Sequence, residues 1–183
     1  EGRASDRSPW EQAVNVATCV PYFRLARAVP GGLGPWCRAY KLASWVMAAS
    51  ALAYHGVQGP QWRDPLRRLD YTMVGLTAAA FTAACLPAGR ARLPAAALSA
   101  ALLPFQPTLV AALNIAALQA TFFLKALRHP LIRTRYASHV ALASVGLSSY
   151  FLDDKLPETP GLHAAWHLCS ARATFMAHFL LRA

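Results

Sequence analysis

The sequence predicts an all-α fold, a polytopic transmembrane helical bundle of about six spans, and three observations predict it. Hydrophobic residues make up 56% of the 183 and charged residues 14%, against about 25% charged in an ordinary soluble domain. The charge is clumped. Arg63–Arg68, Arg90 and Arg92, Lys125–Arg135 and Asp153–Glu158 punctuate long stretches that carry almost none. Those stretches approach the roughly 17–25 residues that a membrane-spanning helix needs.

Residues 1–38 form a separate, mixed segment with Arg3, Arg7, Arg24, Arg27 and Arg38 and the turn-rich run VPGGLGP from Val29 to Pro35. Ala13–Ala28 is weakly amphipathic and too polar to span, so it is expected on the membrane surface or against the bundle. Residues 39–183 hold the six apolar segments: Ala39–Gly56, Leu69–Leu86, Leu93–Phe105, Thr108–Leu127, Tyr136–Leu152 and Leu162–Leu181. The third is only about 13 residues long and hemmed by prolines, short for a full crossing. Ala, Gly, Ser and Thr are abundant, and small residues let helices approach closely in lipid.

The net charge of +10 does not indicate a nucleic-acid partner. Most Lys and Arg residues sit in short connections and at the N-terminus, as on the membrane side that retains positive charge. With six spans, the N-terminal region, Arg90, Arg92, Lys125–Arg135 and Arg182 fall on one side. Arg63, Arg67, Arg68 and Lys155 fall on the other. Both termini are therefore expected on the cytosol-equivalent side. The chain begins at Glu1 rather than Met, so an ER, Golgi or other organelle membrane reached after removal of a targeting peptide is the expected location. Cys19, Cys37, Cys85 and Cys169 form no CxxC pair, and those in apolar runs read as small hydrophobes.

Four ionisable side chains share one membrane depth on the less basic side. His55 ends the first span, Asp70 begins the second, and His163 and His167 begin the last. Residues four apart lie on one helical face, so His163 and His167 can address one ion. His55 would complete the three protein ligands that a catalytic zinc commonly takes. Asp70, the only acid within an apolar segment, could then hold the reacting water or orient a ligand. Ionisable groups are costly in lipid and usually mark function. His129, His139 and His178 read as loop or packing residues, and Asn114 and Gln119 as interhelical hydrogen-bonding groups. LDDKLPETPG (Leu152–Gly161) reads as a solvated turn. Arg172 reads as a side chain reaching for the interface.

YHGVQGP (Tyr54–Pro60), LDYTMVG (Leu69–Gly75) and HAAWHLCSA (His163–Ala171) resemble the three signature regions of the CREST superfamily of membrane proteins, most nearly its Per1 and myomaker-like branches. The resemblance spans about residues 40–181. It implies a seven-helix fold, here expected to lack its first helix, with zinc held by His55, His163 and His167 and with Asp70 near the reacting water. It also implies hydrolysis of a lipid amide or ester. One position departs from the pattern: Ala51 stands where the family usually has a Ser one turn before the first His. Ser50 beside it is expected to point about 100° away on an ideal helix. Two functions therefore stand side by side. One is a zinc-dependent lipid hydrolase. The other is a non-catalytic subunit that packs against membrane lipids and other membrane proteins.

Overall fold

A computed structural model describes residues 8–30, 32, 34–57, 59–86 and 92–182. Among them the chain is all helix and turn, with no strand. The helices are α1 (Pro9–Thr18), α2 (Val20–Ala28), α3 (Pro35–Gly56), α4 (Pro60–Cys85), α5 (Arg92–Leu102), α6 (Pro107–Arg128), α7 (Pro130–Lys155) and α8 (Leu162–Ala177). A 3-10 turn, His178–Leu181, continues α8. Each of the six apolar segments is thus helical. α4 and α7 begin about two turns earlier than their apolar runs, because Pro60 and Pro130 occupy the first helical position, where the missing N–H costs nothing.

Among the described residues one helix, α6, is long and apolar enough by length and composition to cross a membrane. Its burial is confined to a narrow set that includes Val110, Asn114 and Phe122. Leu109, Leu113, Ile115, Leu124 and Leu127 of the same helix are exposed.

The packing order is α3–α4–α6–α7–α8, with α5 against α4 and α6. Close approach depends on small residues. A Cβ on Gly75 would stand 2.8 Å from the Pro107 carbonyl oxygen, so glycine is what lets α4 meet the start of α6. Polar bonds stitch the same seams. Asn114 Nδ2 donates to Ser99 Oγ at 3.0 Å and Thr82 Oγ1 to the Asn114 carbonyl at 3.1 Å. Gln119 and His139 meet at 2.5 Å between α6 and α7. His139 also bonds the Ala173 carbonyl, and His178 bonds Tyr40. The packing role expected of these residues is what they have.

α1 and α2 each touch both α3 and α8 and so fill the gap between them. Ser8 caps α1 by accepting from the Glu11 backbone N–H, the signature of a capping box. Pro21 has no N–H to extend the ladder, and the helix breaks at Cys19. The break is bridged by i→i−3 bonds from Cys19 N to Val16 O and from Tyr22 N to Cys19 O. The inward face carries Asn15, Thr18, Cys19, Tyr22, Leu25 and Ala26, all buried. α1 and α2 therefore pack against α3 and α8 and bring a polar stripe inward.

Candidate metal centre

His55 lies in the last turn of α3, and His163 and His167 in the first two turns of α8. The three rings converge. Their centroids are 4.9 Å apart for His55–His163, 5.0 Å for His55–His167 and 4.7 Å for His163–His167. All three side chains are buried, His55 to 1% exposure. Helix α8 starts after Gly161, whose φ of 82° lets the chain turn sharply out of the α7–α8 connection. That turn sets His163 against the end of α7.

Each imidazole of α8 has a partner on its Nδ1. His163 Nδ1 lies 3.1 Å from Asp153 Oδ2. His167 Nδ1 lies 3.0 Å from Thr18 Oγ1 and 4.0 Å from Cys19 Sγ. Gln12 Nε2 donates to the His55 carbonyl at 2.7 Å, tying α1 to the end of α3. Tyr22 packs edge-on against His167 at 5.8 Å and bonds Ser170 at 2.6 Å.

Cys19, His55 and His167 present ligand atoms within 4.8 Å of one another, a buried set that can hold a metal ion. Cys19 is fully buried. The sequence does not single it out, because it sits in a segment that is too polar to span and only weakly amphipathic. The spacing Asn15, Thr18, Cys19, Tyr22 is itself a helical stripe (i, i+3, i+4, i+7) and is the signal that would have found it.

Two sequence expectations are corrected. Asp153 is not part of a solvated turn. α7 runs on to Lys155, which leaves Asp153 on the helix and 3% exposed, facing His163. Nor does Ser50 point away from the site. The packing of α3 on α4 sets its Oγ 3.3 Å from Asp70 Oδ1, while it also donates to the Met47 carbonyl. Asp70 is in turn within electrostatic reach of His163. Ala51, the position where the resemblance calls for Ser, is buried beside it.

Comparison of the chain with family models, with curated proteins and with solved structures yields no match.

Proposed function

We propose that the chain is an integral membrane protein that holds a zinc ion on His55, His163 and His167 and hydrolyses a lipid amide or ester. The observation that carries this reading is the mutual approach of three buried imidazoles to 4.7–5.0 Å. His55 and His167 also bring ligand atoms within 4.8 Å of each other and of Cys19 Sγ, and His163 adds the third ring of the cluster.

The membrane reading is supported by length and by surface. α3 and α6 have 22 residues and α4 and α7 have 26. At 1.5 Å per residue these reach about 33–39 Å, enough for a hydrocarbon core of about 30 Å. Leu42, Val46, Leu76, Leu113, Leu147 and Leu168, from five different helices, face outward.

Bound zinc supplies a Lewis acid that makes water a nucleophile near neutral pH. The chain's own residues do the rest. Asp70, held by Ser50 at Oδ1, is the base that accepts the water's proton. Ser50 donates to that carboxylate and fixes its orientation. A groove of about 650 Å³ between α3, α4 and α5, lined by Val46, Met73, Leu76, Ala97 and Leu103, offers an apolar bed for an acyl chain. Met73 of its lining lies one turn along α4 from Asp70.

A second reading is favoured by Cys19. A thiolate joining the histidines would make a closed, four-coordinate site of the structural kind, suited to a non-catalytic subunit within a larger membrane complex.

Elemental analysis of the purified chain in detergent, with lipid amide and ester turnover measured on the same sample, tests the proposal. It expects one zinc per chain, and loss of both zinc and turnover in His163→Ala. A metal-free wild type overturns it. Zinc without turnover of either bond type selects the second reading.

A further inference from the structure

We infer that the broken N-terminal helix is a positioning element of the metal centre. Thr18 accepts the Nδ1 proton of His167, leaving Nε2 as the only nitrogen of that ring able to take an ion. This rests on the metal reading above and specifies how the site is held.

Counting hydrogens leads to it. Thr18 has one hydroxyl hydrogen, and it goes to the Asn15 carbonyl, 2.9 Å away. What Thr18 Oγ1 offers His167 Nδ1 at 3.0 Å is therefore a lone pair. Nδ1 must carry a hydrogen for that contact to be a bond. A neutral imidazole has one N–H and one lone pair, so the lone pair sits on Nε2. Cys19 repeats the pattern, its S–H directed to the same Asn15 carbonyl at 3.2 Å. The helix break takes the i+4 backbone donor away from that carbonyl: the Cys19 backbone N–H bonds Val16 O at 3.1 Å instead.

His163 is set by the same logic from the other side. An ionised carboxylate only accepts, so the 3.1 Å contact with Asp153 Oδ2 places a hydrogen on His163 Nδ1 and the lone pair on Nε2. Both histidines of α8 thus present the same nitrogen, one held by α1 and the other by α7. Partners of this kind fix the tautomer and ring orientation of a metal-ligating histidine, and losing one commonly costs 10–100-fold in metal affinity. An ion seated on Cys19 together with His167 Nδ1 would require the Thr18 bond to break, so the two arrangements exclude each other.

The test loads the full-length chain in detergent with cobalt(II) and titrates it against a chelator. The expected result is cobalt uptake without a sulfur-to-cobalt charge-transfer band, a 10–100-fold weaker affinity in Thr18→Val, and recovery in Thr18→Ser, which keeps the hydroxyl. Nitrogen-15 spectra of the histidines in the metal-free chain, with His167 assigned by its loss in His167→Gln, should show a protonated Nδ1. They carry the test even where Thr18→Val fails to fold. A charge-transfer band that disappears in Cys19→Ser overturns the inference and leaves the metal reading standing. So does an unprotonated Nδ1, or unchanged affinity in Thr18→Val. No cobalt uptake at all overturns both.

Discussion

Asp153 Oδ2 and His163 Nδ1 lie 3.1 Å apart, buried where the end of α7 meets the start of α8. With His163 neutral, as a metal ligand must be, the contact is a hydrogen bond from imidazole to carboxyl oxygen rather than a pair of charges. Its value is orientation. Asp153→Asn keeps the shape and an acceptor oxygen but loses the charge, and is expected to weaken metal binding by about 10–100-fold with little change in unfolding temperature. Asp153→Leu leaves the imidazole N–H without a partner and should cost about 1–3 kcal/mol of stability as well. Chelator competition and thermal unfolding in detergent separate the two effects.

Tyr40 and His178 provide the contrast. They bond at 2.8 Å in the other core of the bundle, where Tyr40 also stacks on Phe81. Tyr40→Phe should destabilise the chain by about 1–3 kcal/mol, the cost of a buried polar group left unpaired. Metal content per chain should stay at the wild-type value. A drop in metal content would mean that the Tyr40–His178 pair is coupled to the histidine cluster.

The glycines make a paired prediction. Gly75→Ala drives a methyl group to 2.8 Å from the Pro107 carbonyl oxygen, so α4 and α6 must separate. The expected loss is about 1–3 kcal/mol, as for other overpacked sites. A Cβ on Gly56 meets nothing within 4 Å, and Gly56→Ala should be neutral or stabilising by about 0.4–1 kcal/mol. Equal effects at the two positions would contradict the close packing described for α4 and α6.

The membrane reading rests most directly on α6. Leu113 is exposed in the middle of that helix. Leu113→Arg should oppose insertion by about 2.5–3.5 kcal/mol on insertion scales. A glycosylation-mapped insertion assay should then find the helix largely untranslocated. Normal insertion of the variant would mean that this face meets water or another chain instead.

Much of this was legible in the residues themselves. The six apolar runs are all helical, since apolar length and proline punctuation are local signals. His55, His163 and His167 could be grouped because each lies at a helix end, and alternating helix direction brings those ends to one level. Depth does not say which way a side chain turns. Ser50 reaches Asp70 only through the rotation of α3 against α4, a tertiary fact. Asp153 looked solvated because it lies in a polar run, and only the continuation of α7 through that run buries it. Cys19 and Thr18 were hidden differently. Arg24 and Arg27 raise the polarity of the whole segment, and an average over the segment masks a stripe that faces one way.

Thr18 and His167 are separated by 149 positions along the chain. Closing so long a loop is entropically unfavourable until neighbouring helices have already docked, and contacts of such range form slowly. Domains emerge from the ribosome from the N-terminal end, so α1 must wait for nearly everything else to be made. The histidine cluster therefore cannot be completed before α8 has been made. Cobalt or zinc uptake would mark completed assembly, and a chain stalled before α8 would carry a stripe of polar side chains with nothing to face.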